Sequence, residues 1–404
     1  MLPFSSIEYF IISITFVIWM YCAKYFLSSI ISYSTALFIT TIIFLTFYYP
    51  QPIHILLYIL YSYSAYFIVQ KTKIIKKRAI ASLIMILPMI LVKVFEYSYT
   101  YHSISSIIFF PGLSYVSFRL LSLFLDSDYD DPPINFVSAV NFLLFIPTLL
   151  IGPIDRYSRF NKDIISGYSN LKLINIRKGL NILKKGIIYK FVCAELINRY
   201  LLNINGFDCP KIFVVLIDMY AYYLYLFFDF AGYSAMAIGT GKMMGITVPE
   251  NFIKPFLARN PKQFWQRFHK TLGAWLKDYF FMPFYKYFRS KNLLRKLPLT
   301  CQNISLFITF FLMGCWNGLA IHFIISGALF GIYSVIHNTY GYLCKVKGYD
   351  IIFGMLPDFY KRILSSFIMF NIVAFAIHIF SGRAPYVAKS SGILPMISRL
   401  ILER

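Results

Sequence analysis

Charged side chains are scarce in this 404-residue chain, and the acidic ones are scarcer still, with 17 Asp and Glu against 39 Lys and Arg. Only 14% of the residues are charged, whereas a soluble globular domain has about 25%. Hydrophobic residues make up 58% and aromatic residues 20%. A water-soluble fold of this composition would have too few polar side chains to cover its surface. The composition therefore excludes a soluble globular protein and indicates an integral membrane protein.

Metal-binding and disulfide patterns are also missing. The six cysteines follow no CxxC or other metal-ligand spacing, and most lie in or beside apolar runs, where cysteine behaves as a small hydrophobic residue. They are Cys22, Cys193, Cys209, Cys301, Cys315 and Cys344. We therefore expect no bound metal ion and no resident cofactor. No repeat of fixed period and no Gly/Ser- or Pro-rich linker divides the chain, which predicts one membrane-embedded domain over residues 1–404.

Apolar runs long enough to cross about 30 Å of hydrocarbon as helices recur along the whole chain. We predict spans at residues 5–25, 29–49, 52–70, 79–97, 103–125, 134–151, 211–230, 302–320, 322–340 and 361–380. We predict amphipathic or broken segments at 174–203, 232–247 and 262–282. Together these runs predict an all-α, polytopic transmembrane fold with about 10–11 crossings. The first run has no basic start and no cleavage site, so we interpret it as a retained helix.

Basic residues produce a formal net charge of +22 and cluster between the predicted spans. The clusters comprise Lys71, Lys73, Lys76, Lys77 and Arg78; Arg177, Lys178, Lys184, Lys185 and Lys190; and Lys286, Arg289, Lys291, Arg295 and Lys296. Short loops rich in Lys and Arg stay cytoplasmic, so we interpret the charge as a topology signal and not as a nucleic-acid surface. Three spans precede the first cluster, which predicts an extracytoplasmic amino terminus in a multi-pass protein of the cell membrane. An added role in binding an acidic soluble partner stays open.

Polar residues inside apolar runs cost free energy and usually face a cavity or a partner. The first such stretch covers residues 228–252, where Asp229 ends a long apolar run and several glycines follow. Glycine permits tight turns or close backbone packing, and non-helical backbone at membrane depth needs protein or a cavity around it. This stretch predicts a re-entrant or partly buried segment.

The second polar stretch covers residues 264–279. Its apolar residues recur at the spacing of one helix face, and Trp265 and His269 are then neighbours on that helix. The spacing alone leaves open whether His269 is a hydrogen-bonded structural histidine or a catalytic one. The third stretch, MGCWNG at 313–318, places an Asn-Gly pair in an apolar run. It indicates either a site or a helix–helix contact eased by glycine.

These stretches share an order of motifs with one known family. The motifs are PGLSYVSFR at 111–119, GPIDRY at 152–157 with Phe160, FDFAGYS at 228–234, VPENF at 248–252, the segment 264–279 and MGCW at 313–316. With them the chain resembles the membrane-bound O-acyltransferase superfamily, and within it the D-alanyl transfer branch. The resemblance covers about residues 110–335.

The resemblance implies a ring of helices around a thin central funnel, through which a cytoplasmic acyl donor reaches an acceptor hydroxyl on the outer side. In the D-alanyl branch the donor is D-alanine thioesterified to the phosphopantetheine of a small acidic carrier protein. The acceptor lies on the route to teichoic acid or a related cell-envelope polymer. The family's two functional histidines map onto His269 and Asn317. Residues expected to line or support the substrate path are Trp265, Asp278, Trp316, Asp229, Asp155 and Arg156.

Asn317 departs from the family pattern. A histidine there acts as general base on the acceptor hydroxyl, because the pKa of imidazole lies near the operating pH, whereas an amide only donates and accepts hydrogen bonds. His322 lies about 140° farther around a continuous helix, so we expect it to replace the base only if the helix breaks at Gly318. Phe330 stands where many relatives carry another histidine.

Two function classes remain. The leading hypothesis is a D-alanyl transferase in which His269 orients or polarises the thioester or its leaving group, while Asn317 holds the acceptor by hydrogen bonds. The alternative is a catalytically silent relative that binds the carrier or passes a substrate across the membrane. O-acetylation of an envelope polysaccharide is a third outcome within the same family.

Overall fold

A computed structural model of the protein describes residues 7–49, 52–72, 78–95, 109–128, 132–202, 211–292, 294–348 and 357–383. Every regular element in these ranges is a helix, as the sequence predicts. The chain divides into two compact units, Met1–Ile188 with Gly232–Glu250, and Tyr189–Ala231 with Asn251–Arg404. The one-domain organisation stays a prediction. Lys73, Lys76, Lys77 and Cys209 lie outside the described residues.

The first unit is built from helices. Its elements are α1 (Ile7–Cys22, extended by π-helical Ala23–Leu27), α2 (Tyr33–Tyr48), α3 (Pro52–Thr72), α4 (Arg78–Phe95), α5 (Leu113–Asp126), α6 (Phe136–Leu143), α7 (Tyr157–Ser166) and α8 (Leu173–Ile187). Side-chain caps define two of the starts, because an oxygen before the helix satisfies an unpaired amide in its first turn. Ser32 accepts from the Thr35 N–H at 3.1 Å, and Asn135 from the Ser138 N–H at 2.8 Å.

The prediction of one span over residues 134–151 is wrong, because helix α6 ends at Leu143. The buried Arg119 of α5 explains the break. Its guanidinium donates to the carbonyl oxygens of Phe142 at 3.3 Å and Leu143 at 3.1 Å, and to both oxygens of Thr148. Carbonyls released at a helix end need such partners where water is excluded. A single arginine thereby permits the chain to leave the helix inside an apolar unit.

The break predicted over residues 232–247 and the re-entrant alternative for residues 228–252 are also wrong, whereas the partly buried alternative is confirmed, since Ala231, Tyr233 and Met236 are buried. Helix α9 runs without interruption over Lys211–Met243, and its part from Gly232 onward belongs to the first unit. Its glycines permit close approach of α8. A Cβ on Gly239 would lie 2.6 Å from the Gly179 carbonyl oxygen, and one on Gly186 would lie 2.7 Å from that of Gly232. The glycines therefore mark helix–helix contact.

The second unit contains the remaining helices. Residues Ile188–Ala194, Glu195–Ile197 and Asn198–Leu202 extend α8, and after α9 follow α10 (Pro261–Trp265), α11 (Lys270–Leu276, extended by π-helical Lys277–Phe281), α12 (Met282–Ser290), α13 (Pro298–Asn317), α14 (Ile321–Lys347) and α15 (Asp358–Phe380). Helices α13 and α14 form a hairpin in which Gly314 and Gly327 meet. A Cβ on Gly314 would lie 2.6 Å from the Phe323 carbonyl oxygen and 2.9 Å from the Gly327 Cα.

Five helices among the described residues are long and apolar enough to cross a membrane. They are Pro52–Lys71, Phe213–Met243, Pro298–Asn317, Ile321–Val346 and Asp358–Phe380, and shorter apolar helices cover Ile11–Leu27, Tyr33–Tyr48 and Ile80–Phe95. The all-α, multi-pass architecture is confirmed. The count of about 10–11 crossings stays a prediction.

A methyl group at the α13–α14 crossing should destabilise the hairpin. We expect Gly314→Ala to lower the free energy of unfolding by about 1–3 kcal/mol, the usual cost of overpacking, seen as a lower thermal midpoint in detergent. Gly341→Ala is the matched control on α14, because nothing lies within 4 Å of a Cβ there. Equal midpoints for the two variants would contradict close packing at Gly314.

Candidate active site

His269 lies at a break between two helices, so the single helix face predicted over 264–279 is wrong, whereas the broken alternative predicted for 262–282 is confirmed. Helix α10 ends at Trp265 and α11 begins at Lys270. His269 occupies the left-handed region with φ of 47°, which is uncommon for a residue with a Cβ and costs about 1–3 kcal/mol unless its surroundings hold it there. The break removes the helical register that made Trp265 and His269 neighbours on one face.

An extended segment holds the break in place. The Lys270 N–H donates to the Asn251 carbonyl at 2.9 Å, and the Ile253 N–H donates to the Arg267 carbonyl at 2.9 Å. The Asn251 side chain adds more, because its Oδ1 accepts from the Thr271 N–H at 3.2 Å and from the Thr271 hydroxyl at 2.8 Å. Backbone amides in the first turn of a helix have no partner within it. Asn251 supplies that partner from 20 residues away.

The His269 imidazole is buried, with 7% of the residue exposed. Its Nδ1 lies 3.2 Å from Asn251 Oδ1, and the Phe230 ring packs nearly perpendicular to it at a centroid distance of 4.6 Å. Burial disfavours the charged form and holds the pKa of His269 well below its ordinary value of 6.5. The imidazole is therefore neutral at physiological pH, and a neutral imidazole is the form that accepts a proton.

Trp265 connects the break to the α13–α14 hairpin. Its ring lies 5.1 Å from the Phe310 ring and 5.0 Å from the Phe330 ring. Gly273 permits α11 to fold closely against α10, since a Cβ there would lie 2.8 Å from the Trp265 carbonyl oxygen. Phe330 fills this aromatic cluster and stacks on Phe264 at 6.0 Å.

Asn317 is the last residue of α13, about two turns beyond Phe310. Its side-chain Nδ2 donates to the Met313 carbonyl at 2.8 Å, and the preceding Trp316 is half-buried. The helix ends here, and His322 lies in the first turn of α14. This end of the helix meets the condition set above for His322 to replace the base, and that role of His322 stays a prediction. The approach of Asn317 to Trp265 and His269 stays a prediction.

The sequence matches the profile of the membrane-bound O-acyltransferase family over residues 26–375. This chain belongs to that family. It is 34% identical over 308 residues to the teichoic acid D-alanyltransferase of Bacillus subtilis, covering 74% of this chain and 76% of that protein. It is 34% identical to the enzyme of the same name from Streptococcus thermophilus, with 74% of each chain covered. A probable alginate O-acetylase from Pseudomonas fluorescens is 31% identical over 57% of this chain and 45% of its own length.

These similarities confirm the predicted family and its acyltransferase class. Three of the remaining predicted site residues, Asp229, Asp155 and Arg156, lie in ion pairs. Asp229 pairs with Lys190 in the second unit. In the first unit, Asp155 accepts from the Arg159 Nε at 2.6 Å, and Arg156 lies 3.9 Å from Asp126.

Pairing gives each of these two aspartates a structural task in its own unit. Asp278 is exposed at the start of the π-helical turn after α11. Contact of these residues with a substrate stays a prediction. Among the described residues, no group of three or more His, Cys, Asp or Glu side chains is arranged to hold a metal ion.

The sequence places Asn251 of this O-acyltransferase within the VPENF motif but does not indicate its role. It also does not indicate that Lys190 forms the ion pair with Asp229. An asparagine in an apolar stretch is a usable signal, because a buried amide needs hydrogen-bond partners. Nothing local in the sequence, however, connects position 251 to the break at 269.

Acid should destabilise the folded protein through His269. The unfolded chain holds a histidine with the ordinary pKa of 6.5, so below that pH it binds a proton that the buried imidazole excludes. Since the unfolded state binds more protons, the free energy of unfolding falls with falling pH, by up to about 1.4 kcal/mol per pH unit. We expect His269→Gln to lose less of its thermal midpoint than the parent between about pH 7 and about pH 5.

His54→Gln on α3 is the control for this measurement and should keep the parent's acid response. The same midpoint shift in the parent and in His269→Gln would show that the imidazole of His269 is not the group that acid titrates.

Proposed function

We propose that this protein transfers D-alanine from a carrier-protein thioester to a hydroxyl of teichoic acid or a related cell-envelope polymer. The observation that carries the proposal is a buried, neutral histidine held at a helix break in a chain whose relatives are named teichoic acid D-alanyltransferases. The phosphopantetheine arm belongs to the donor, so the protein itself needs no resident cofactor for this reaction.

The reaction exchanges a thioester for an ester. The acceptor oxygen bonds to the D-alanyl carbonyl carbon, the C–S bond breaks, and the hydroxyl proton ends on the phosphopantetheine thiol. A base near the hydroxyl accelerates this step by typically 10²–10⁴-fold. In this proposal His269 takes up the proton and returns it to the leaving sulfur, because burial keeps its imidazole neutral.

Asn317 holds the acceptor without taking up its proton. An amide has two donors and an acceptor oxygen, and one of the donors binds the Met313 carbonyl. An amide group can donate to and accept from a hydroxyl, and this chemistry suits the positioning of an acceptor. This assignment separates two tasks, with proton transfer at His269 and positioning at Asn317.

A second candidate function is O-acetylation of an envelope polysaccharide. The chain is 31% identical to the probable alginate O-acetylase and 32% identical to a peptidoglycan O-acetyltransferase from Helicobacter pylori. It spans only 45% of the length of each of these proteins, whereas it spans 76% of the Bacillus D-alanyltransferase. The D-alanyl reaction therefore has the stronger support. The catalytically silent alternative predicts no transfer of either group.

Turnover of carrier-linked D-alanine by the purified protein tests these roles. We expect measurable transfer by the parent and a fall of about 10²–10⁴-fold in kcat for His269→Gln. His54→Gln on α3 serves as the control and should stay near the parent. Asn317→His should change kcat by less than about ten-fold, because the proton already has an acceptor in His269.

Three results would count against the proposal. A parent with no D-alanyl transfer favours the silent relative, and acetyl transfer in its place favours the O-acetylase reading. A rise of about 10²–10⁴-fold in Asn317→His would show that the parent lacks a base.

We propose a binding surface for the acidic carrier protein from the positive charge of the protein surface. No acidic residue occurs between Asp278 and Asp350. The basic residues from Lys286 to Lys296 therefore have no carboxylate nearby in the sequence to neutralise their charge. Lys286, Lys291, Arg295 and Lys296 are exposed, and an acidic carrier would meet complementary charge there. This face is then cytoplasmic by the positive-inside tendency, and by the same tendency the basic cluster that follows α3 supports an extracytoplasmic amino terminus.

Charge reversal should weaken binding of the carrier at this face. We expect Lys291→Glu with Arg295→Glu to raise the KM for the carrier roughly ten-fold at low salt and to leave kcat unchanged at saturation. The difference should shrink as salt screens the charges. Lys184→Glu with Lys185→Glu on α8 makes the same change in net charge elsewhere and should act more weakly. If both double variants raise the KM equally, the net positive charge of the protein attracts the carrier and no specific docking surface lies at Lys291 and Arg295.

A further inference from the structure

The amide of Asn251 has an orientation that its hydrogen bonds decide. The Thr271 backbone N–H is a donor only, and it lies 3.2 Å from the Asn251 side-chain atom that also accepts from the Thr271 hydroxyl at 2.8 Å. An amide nitrogen cannot accept a hydrogen bond. The atom that faces this helix start is therefore the oxygen, and the alternative placement of the amide nitrogen is excluded by the Thr271 N–H.

The orientation of the amide decides the proton position on His269. The same oxygen lies 3.2 Å from His269 Nδ1. Two lone pairs facing each other at this distance would repel, so Nδ1 carries the proton and donates it. A neutral imidazole has only one N–H, so Nε2 keeps its lone pair.

The position of the imidazole is constrained as well as its proton. Asn251 is itself buried, with 1% of the residue exposed. Its backbone carbonyl binds the Lys270 N–H at 2.9 Å, so both ends of Asn251 hold the helix start that follows His269. The Phe230 ring at 4.6 Å packs against the imidazole and hinders its rotation.

We propose that Asn251 is a positioning residue that holds His269 in the Nδ1-protonated tautomer and thereby makes Nε2 the proton acceptor of the transfer reaction. The chemical consequence rests on the role of His269 proposed above. With the opposite tautomer, Nε2 would be a hydrogen-bond donor and could only polarise the thioester carbonyl. The arrangement therefore favours proton transfer by His269 over the polarising role that the sequence suggested for it.

The tautomer can be read directly by nitrogen NMR of protein with ¹⁵N-labelled histidine side chains in detergent. The His269 signals are identified as those lost in His269→Gln. We expect them to show a protonated Nδ1 and an unprotonated Nε2 in the parent. A protonated Nε2 in the parent overturns the inference without any further variant.

Substitutions at position 251 test the cause. We expect Asn251→Leu to lose the Nδ1-protonated signal and to lower kcat at least about ten-fold, with the KM for the carrier unchanged, bounded by the cost of losing the base. Asn251→Asp keeps an acceptor oxygen and should retain the tautomer, with kcat within about ten-fold of the parent. Persistence of the parent signals in Asn251→Leu contradicts the inference.

Asn141 supplies a matched control for burial and lost hydrogen bonds. It is fully buried, and its Nδ2 donates to the Ser34 carbonyl at 2.9 Å and to the Ser34 hydroxyl at 3.0 Å. Asn141→Leu should lower the thermal midpoint while the His269 signals stay unchanged. If it moves them as Asn251→Leu does, the effect at position 251 is general destabilisation.

The activity of His269→Gln tests the catalytic role of His269, and the tautomer in the parent tests the positioning role of Asn251, so the two proposals can fail separately. Full D-alanyl transfer by His269→Gln, together with the expected parent tautomer, removes His269 from the reaction but leaves Asn251 as the group that sets its proton. An inactive His269→Gln together with a protonated Nε2 in the parent keeps His269 in the reaction and overturns the role of Asn251.

Discussion

The side-chain oxygen of Asn251 accepts from three groups at the start of α11, namely His269 Nδ1 and the backbone and hydroxyl of Thr271. The rest of the candidate site depends on this acceptor. It satisfies a helix start that would otherwise keep an unpaired amide away from water. It stabilises the left-handed backbone of His269, and it restricts the proton of the imidazole to one nitrogen. A purely apolar residue at position 251 would remove all three effects together.

The same constraint recurs where other helices end. Arg119 binds the carbonyls released at the end of α6, and the Asn317 amide binds the Met313 carbonyl in the last turn of α13. In an apolar protein each unpaired backbone group costs several kcal/mol. The polar side chains of the shared motifs therefore have a structural task before any catalytic one, and an activity loss on their substitution needs a second readout to be interpreted.

The chemistry proposed for this O-acyltransferase follows from two amides and one imidazole. Asn317 cannot act as a base in place of a histidine. The reaction can still proceed if His269 accepts the proton. Burial keeps His269 neutral, and Asn251 leaves Nε2 with its lone pair. In the proposed site Asn317 positions the acceptor hydroxyl and Asn251 fixes the tautomer of His269. His269 alone then carries the proton from the acceptor to the leaving thiol.

Composition and hydropathy alone determined that this chain is a helical membrane protein, since its apolar runs are long enough to cross the hydrocarbon as helices, which satisfy their own backbone hydrogen bonds. The order of motifs was enough to place it in its family and to select His269 and Asn317. The tertiary structure decided where helices break: α6 ends at Leu143, α9 continues past Gly232, and α10 ends before His269. Glycine has the same letter in a turn and in a close helix contact, and the side chains that hold a break, such as Arg119 and Asn251, lie about 20 residues away in sequence. Local patterns therefore cannot locate these breaks, because the partner that stabilises each one arrives only when the chain folds.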